Sequence, residues 1–540
     1  MSSEGKLGNL GEPPGSLLRL PEEEGYRKTK SPGVRGELPS PYEPQGTQTQ
    51  EAGKVLGSER TRSDPRRTAG SLSEAQYRGR WGSEAQATHW REGDAGHTVR
   101  LGGQMGDTSR SPTVSTQLQR IAEQAKQYPE MVFTTLAHVM DVDFLREAYQ
   151  RTRKDSAPGI DGVTAQDYAE HLDENLRDLH ERLRSGRYQA PPVKRHWLVK
   201  ADGSQRPIGL PTFEDKIVQR AVTMVLGAIY EEDFHEFSHG FRPGHSTHQA
   251  LSALREQCRE QRINWIVDAD VSGFFDNLDH GRLQEFLQHR VRDGSILRLI
   301  GKWLHAGVME GETFLQAETG SPQGAVISPL LGNVFLHQVL DDWYEHTVKP
   351  RLKGRSFLVR YGDDFVLGCE LETDARRIMA VLPKRFARFG LTIHPQKTAL
   401  VAFGKPSARA EETQGQSTFD FLGFTHYWAR TRQGYWVIKR RTAKKRLRRT
   451  LTALWQWCRS QRHRKVEEQH QELSQKLRGH YQYYGIRGNY RLLEVVLRHA
   501  EEAWRYWLSR RSQKGQITGN KLEWWREHFP LPTPKIVHNI

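Results

Sequence analysis

Between two short apolar runs, Phe357-Leu358-Val359 and Phe365-Val366-Leu367, the chain places Tyr361-Gly362-Asp363-Asp364. Short runs of apolar residues on either side of a glycine-containing turn predict a β-hairpin. Gly362 eases the turn, and the acidic side chains are lifted out of a sheet into solvent. Adjacent carboxylates repel each other, so a cation belongs beside them. A hard, oxygen-seeking ion such as magnesium meets that need, and it suits phosphoryl transfer, where metals stabilise attacking and leaving oxygens. Taken alone, Asp-Asp is equally an ordinary polar turn.

A second acidic strand lies upstream. Trp265-Ile266-Val267-Asp268-Ala269-Asp270-Val271 is an apolar run with two aspartates that continues into Ser272-Gly273-Phe274-Phe275-Asp276-Asn277. Alternation along a strand turns Asp268 and Asp270 one way and Val267 and Ala269 the other. Set beside the hairpin, the strand brings Asp270 to Asp363 across the sheet, and the pair can hold two magnesium ions. That is the two-metal arrangement of nucleic-acid polymerases.

Further motifs surround these two in a definite order. Ala157-Pro158-Gly159-Ile160-Asp161-Gly162, Arg206-Pro207-Ile208-Gly209-Leu210-Pro211-Thr212 and His239-Gly240-Phe241-Arg242-Pro243-Gly244-His245-Ser246 precede the Asp270 strand. Gly320-Ser321-Pro322-Gln323-Gly324-Ala325-Val326-Ile327-Ser328-Pro329-Leu330-Leu331 precedes the hairpin, and Phe419-Asp420-Phe421-Leu422-Gly423-Phe424 follows it. With these motifs the chain resembles the bacterial group II intron reverse transcriptases and maturases over residues 157–511. The resemblance implies an α+β right-hand polymerase. Fingers and palm, with an antiparallel sheet, would span residues 157–424, after a helical extension at 113–156. A helical thumb and maturase domain would follow at 430–511, and a short tail at 512–540. After Trp507 there is no cluster of paired cysteines and histidines, so the chain resembles the form without a C-terminal HNH endonuclease domain. Its primer for mobility would come from elsewhere, such as a replication-fork strand.

The implied activity is RNA-directed DNA synthesis from dNTPs on an RNA template with a DNA primer. The protein would also bind its group II intron RNA, assist splicing, and support retrohoming by synthesis primed at target DNA. Two magnesium ions, replaceable by manganese, would be held by Asp270, Asp363, Asp364 and the carbonyl of Val271. Asp268, two residues before the position the family marks, is taken as structural. Phe275 matches an aromatic gate beneath the sugar that excludes a ribose 2′-hydroxyl, whereas Phe274 suits the core. Lys200 and Arg206 flank the turn Asp202-Gly203-Ser204, and the resemblance assigns both cations to the triphosphate. Gln323 matches a residue that contacts the incoming nucleotide, and Gly324 lets the backbone approach closely. Tyr361 and Gly362 would support the primer end. Arg242 either contacts the template or braces the fingers.

Composition agrees with this reading without producing it. The 540 residues allow three or four domains, and a net charge of +15 points to a polyanionic partner. No Asp or Glu occurs within residues 430–465, where Arg440, Arg441, Lys444, Lys445, Arg448 and Arg449 are concentrated. Nucleic acid is the favoured partner of such a field, because neutralising phosphates releases counterions. From Thr442 onward, Leu447, Leu451, Leu454, Trp455 and Cys458 recur at helical spacing among those cations, so one face packs and the other meets phosphate. Downstream, Arg478, Tyr481 and Tyr484 belong to an aromatic and basic stretch that continues through Trp504-Arg505-Tyr506-Trp507-Leu508-Ser509-Arg510-Arg511. Interleaved rings and cations suit unpaired RNA. The same rings at helical spacing also suit a core.

Cys258, Cys369 and Cys458 are far apart and read as buried or incidental thiols of a reducing compartment. No apolar run has the length of a membrane span and the N-terminus lacks a signal core, so the expectation is a bacterial cytoplasmic ribonucleoprotein with no membrane partner. Residues 1–112, rich in Gly, Ser, Pro, Arg and Glu, predict a disordered extension. A basic arm using Arg60, Arg62, Arg66 and Arg67 is the alternative there. Helical spacing begins at Leu118, Ile121, Ala122 and Ala125, and recurs at 131–137 and 143–153. Helices across 281–305 would back the sheet. Trp524, Trp525 and Arg526 are the candidates for DNA contact in the tail. Two other functions compete with the leading one. A splicing-only maturase should lose its catalytic acids, yet all three stand in place. Against a domesticated reverse transcriptase of defence or repair stand the maturase-like residues 477–511.

Overall fold

In the computed structural model, which describes residues 113–199, 205–311, 313–315, 320, 324–407, 417–512 and 516–540, the acidic hairpin forms from strands Ser356–Tyr361 and Asp364–Cys369. Tyr361 pairs with Asp364, so the turn is the two residues Gly362-Asp363, and Gly362 takes the positive φ of 66° that such turns demand at their first central position. Strand Trp265–Ala269 pairs antiparallel with Asp364–Cys369, and Ala399–Ala402 pairs with its other edge, completing a four-stranded antiparallel sheet.

Both faces of this sheet are covered, which is why its strands read as nearly continuous apolar runs. Val267, Ala269, Leu358, Phe365 and Leu367 enter one hydrophobic core together with the long helix Phe213–Asp233. Ile266, Phe357, Val359 and Val366 face the opposite way, into a second core under the helices Lys444–Gln461, Val466–Tyr484 and Tyr490–Ser509. Period-two alternation assigns Asp268 and Asp364 to that second side, because Asp268 pairs with Val366 and Asp364 with Tyr361.

Another four-stranded sheet orders its strands as Gln205–Leu210, Val193–Val199, Val308–Glu310 and Thr313–Leu315. A three-stranded sheet is built from Phe419–Phe421, Phe424–Arg430 and Trp436–Thr442. The fold is thus mixed α/β. The expected boundary between residues 424 and 430 falls inside that three-stranded sheet, and the segment from 430 opens with a strand rather than a helix.

The helix at 118–125 forms as Val114–Gln127, and the one expected at 143–153 as Val142–Arg151. Residues 131–136 are not helical. Their backbone groups bond elsewhere: Phe133 N–H donates to the Arg290 carbonyl, and Leu136 and Ala137 donate to Asp293 Oδ2 at 2.6 and 2.9 Å. The other oxygen of Asp293 caps the helix Gly294–His305 through Ser295 and Ile296. The helical run expected across 281–305 breaks after Gln288, and Asp293 starts its successor and draws the N-terminal segment onto it. Residues 1–112, with their expected disorder and basic arm, lie outside the described residues.

Candidate active site

The strand Trp265–Ala269 ends opposite the start of the strand Asp364–Cys369, with Ala269 paired to Phe365, so Asp270 follows one step beyond the last pair. The sheet end therefore gathers Asp270, Asp363 and Asp364. Their electrostatics record the crowding. Burial, and then the charges of Asp363 and Asp270, push the Asp364 carboxyl up to about 7. Asp364 is nonetheless exposed at the surface, where a small ion can reach it. Asp363 is raised by burial and by Asp270, against the opposing pull of its own backbone N–H, Arg206 and Arg360. Three crowded carboxylates, two of them raised by burial and by one another's charge, are an oxygen-only donor set that a divalent cation relieves, so the residues fit the metal that reverse transcriptases generally use.

Asp268, taken from the sequence as structural, stands on the same face. Burial and then Asp364, Asp420 and Asp270 raise it to about 7. Lys397 was not anticipated. Its ammonium donates to Asp270 Oδ2 at 2.6 Å, and His394 N–H holds the Asp270 carbonyl at 2.8 Å. No local pattern around Lys397 marks it, since the contact spans more than a hundred residues of chain.

The turn does not stand free in solvent as the hairpin pattern suggested. Residues 237–241 lie against it: Arg360 N–H donates to the Phe237 carbonyl at 2.9 Å, and His239 N–H donates to the Arg360 carbonyl at 2.8 Å. At Gly240 a Cβ would stand 2.1 Å from Gly362 N, so only glycine permits this approach. Phe241 adopts a φ of 60°, a costly conformation for a bulky residue, with its ring against Gly362 and 6.2 Å from Tyr361. Beneath the turn Arg360 is fully buried. It donates to both oxygens of Asp341 at 2.8 and 2.6 Å, to Asn333 Oδ1 at 2.9 Å and to the Gly362 carbonyl at 3.1 Å. Asn333 Nδ2 in turn donates to the Gly240 carbonyl at 2.7 Å. A continuous polar network thus grips both the turn and the segment that covers it.

Other expected residues divide by burial. Phe274 packs in the core, edge-on to Phe335, while Phe275 is half-buried beside Gly332. Val271 is buried on a short strand paired with Ile393. Arg206 lies exposed on the strand Gln205–Leu210, within electrostatic range of Asp363. Lys200 and Gln323 lie outside the described residues. Tyr361 borders a cavity of about 1360 Å³ whose walls include Arg151, Arg220, Ser246 and Pro329.

Arg242 is a brace. Its guanidinium is buried, paired with Glu231 at 2.8 Å and donating to the carbonyls of His235 and Ser238, which leaves it unable to reach a template. Arg440 also points inward, to the Leu251 carbonyl, and burial lowers it to about 10. Tyr481 and Tyr484 are core residues of the second cluster, so neither ring can stack on RNA. Trp525 is likewise buried, 4.5 Å from Trp504, whereas Trp524 is exposed. The outward cations are Arg441, Lys444, Lys445, Arg448 and Arg478, with Arg449 half-buried. Helix Lys444–Gln461 buries Leu447, Leu451, Leu454 and Cys458 on one face and shows its lysines on the other. Arg446 in its first turn acts on Asp364, so this helix borders the acidic cleft. Among the described residues no helix is long and apolar enough to cross a membrane.

Comparison with known proteins agrees with this geometry. Residues 198–426 match the reverse transcriptase (RNA-dependent DNA polymerase) family. Protein YkfC of Escherichia coli strain K12 is 36% identical over 253 residues, 41% of this chain and 66% of that protein. The group II intron-encoded protein LtrA of Lactococcus lactis subsp. cremoris is 35% identical over 233 residues, 42% of this chain and 38% of that protein. A mitochondrial nuclear intron maturase of Arabidopsis thaliana is 33% identical over 90 residues, 17% of this chain and 12% of its own length. The chain thus spans just under two thirds of the first of these relatives and well under half of the second. The acidic sheet end lies within a reverse transcriptase domain at residues 198–426, and that domain is similar to those of group II intron-encoded proteins.

Proposed function

We propose that this protein is an RNA-directed DNA polymerase that also binds a group II intron RNA as a splicing maturase and supports retrohoming by copying the intron from a primer at target DNA. One observation carries the reading: three aspartates from two separate segments meet at one sheet end, bordered by a cationic strand and a cationic helix. In right-hand terms the acidic sheet is the palm, the sheet with Arg206 is the fingers, and the helices from Lys444 onward are the thumb and maturase domain.

The reaction joins a primer 3′ hydroxyl to the α-phosphorus of a dNTP and releases pyrophosphate. Asp270, Asp363 and Asp364, with the Val271 carbonyl, would hold two magnesium ions. When bound, these would ease deprotonation of the hydroxyl and neutralise charge on the triphosphate. The protein's own groups do the rest. Arg206 binds triphosphate oxygens, Phe275 presents a ring under the sugar, and Tyr361 supports the primer end beside the cavity. The network of Arg360, Asn333 and Gly240 fixes the turn, so that Asp363 meets the substrate in one geometry. Lys444, Lys445 and Arg448 hold phosphates of the emerging duplex or of the intron RNA.

The test is primer extension by the purified full-length chain on an RNA template with a DNA primer, dNTPs and magnesium. Extension is expected from the wild type and its loss from Asp363→Asn. Absence of extension by the wild type overturns the polymerase reading. Incubation with a self-splicing RNA from the same locus, following exon ligation, tests the maturase reading separately.

A further inference from the structure

On the opposite face of the sheet from Asp364, beyond the buried pair of Arg360 and Asp341, three side chains gather that polymerisation does not use. His235, His337 and Asp342 each offer a ligand atom, and those atoms lie within 4.8 Å of one another. His235 Nε2 is 2.9 Å from Asp342 Oδ1, and His337 Nε2 is 3.4 Å from Asp342 Oδ2. A tetrahedron with bonds of 2.0–2.1 Å has edges of about 3.3 Å, so the His337 contact has the spacing of a coordination shell, while the His235–Asp342 contact is a hydrogen bond that a bound ion would replace.

Local helix geometry creates the cluster. His337 and Asp342 are five positions apart, and at 3.6 residues per turn they would diverge around an α-helix. Here the segment His337–Asp341 is π-helical, and the Asp342 N–H donates to the His337 carbonyl. That i→i+5 closure brings both side chains to one side, and π turns within helices recur at functional sites. A second π-helical segment, Trp343–Val348, carries His346, whose ring centroid is 6.0 Å from that of His235.

The surroundings are those of a ligand shell. Phe237 stacks on His235 at 4.9 Å and 13°, and Phe234 meets His337 edge-on at 5.5 Å, which orients both imidazoles. His337 is buried and its Nδ1 has no hydrogen-bond partner, although Asp341 Oδ2 stands 3.9 Å away. An imidazole that ligates through Nε2 presents Nδ1–H toward such a carboxylate, the usual outer partner of a metal-bound histidine.

We propose that His235, His337 and Asp342 form a second metal site, for a transition-metal dication of the zinc class. Two imidazoles and one carboxylate select such an ion over magnesium, which prefers oxygen alone. The site is structural. His235 opens the segment whose residues Phe237 and His239 bond Arg360, and Asp342 adjoins Asp341, which holds the Arg360 guanidinium. A bound ion therefore ties the covering segment to the helix behind the hairpin.

The test uses the full-length protein, stripped with chelator and titrated with cobalt(II), then zinc, in excess magnesium. Expected are the intense visible absorption of four-coordinate cobalt at one equivalent, its displacement by zinc, and a zinc-dependent rise in melting temperature. Asp363→Asn should retain all three. His235→Gln, a half-buried position that should fold normally, and Asp342→Asn should each weaken zinc binding at least tenfold. A wild type without the cobalt band, or a band of undiminished affinity in both variants, overturns the proposal.

Discussion

Gly240→Ala isolates the contact between the covering segment and the catalytic turn. The added Cβ would stand 2.1 Å from Gly362 N and 2.7 Å from the Tyr361 carbonyl carbon. Reaching the 3.4 Å at which ordinary contact begins requires about 1.3 Å of recoil, and the atoms struck are backbone rather than the end of a flexible side chain. Gly240 does not occupy the positive-φ region, so alanine brings little conformational penalty of its own. The segment is held by the 2.7 Å bond from Asn333 to the Gly240 carbonyl and the 2.8 Å bond from His239 to Arg360, so the turn must share the recoil. Misplacing a reacting group by about 1 Å costs on the order of 10²-fold in rate. Overpacking of this kind costs about 1–3 kcal/mol of stability. Steady-state primer extension should therefore show kcat lower by about 10²-fold, with a melting temperature lower by several degrees. Gly227→Ala is the internal control for folding. It lies in the helix Phe213–Asp233, where a new Cβ meets nothing within 4 Å, and it should gain up to about 1 kcal/mol. Wild-type kcat in Gly240→Ala would refute the view that this segment positions the turn.

Phe275→Val should relax sugar discrimination and raise ribonucleotide incorporation; an unchanged ratio of rNTP to dNTP efficiency would remove Phe275 as the gate. Lys444→Ala should weaken RNA binding at all sequences and reduce the slope of log K against log salt by about 1. Arg440→Ala, by contrast, should lower the denaturation midpoint and leave that slope unchanged, because its side chain is buried on the Leu251 carbonyl; equal effects of the two on the slope would count against this division. The Asp364 carboxyl, raised from 3.8 to about 7, favours the folded state when protonated, so its destabilising effect is absent below pH 4 and grows as pH rises to 7. In chelator, Asp364→Asn should therefore be the more stable protein at pH 8, lose less stability than the wild type between pH 4 and 7, and gain less from added magnesium. Parallel stability curves for the two would contradict the crowding.

Much of the site was legible because its signals are local. Gly362 with its flanking apolar runs implied a hairpin, and Asp268 and Asp270 shared a face by alternation alone. The split between Phe274 and Phe275 came from the family resemblance, not from local spacing, and the short helical turn that separates the two rings appeared only in the structure. Burial was not readable for the cations and rings. Arg242 and Arg440 look like their exposed neighbours until carbonyls from distant segments appear beside them. Tyr481 and Tyr484 carry a helical spacing that suits a core and an RNA platform equally well.

By itself the sequence determined the strand pattern, the order of the motifs and the oxygen-only chemistry of the site, because each depends on residues within a few positions of one another. Tertiary structure alone decided that Lys397 pairs with Asp270, that the Gly240 segment presses on the turn, and that a π-helical segment gathers His235, His337 and Asp342. Apart from the His337–Asp342 pair, which a local π turn closes, those contacts join residues far apart in the chain, and their energies come from burial and close approach, which no local pattern encodes.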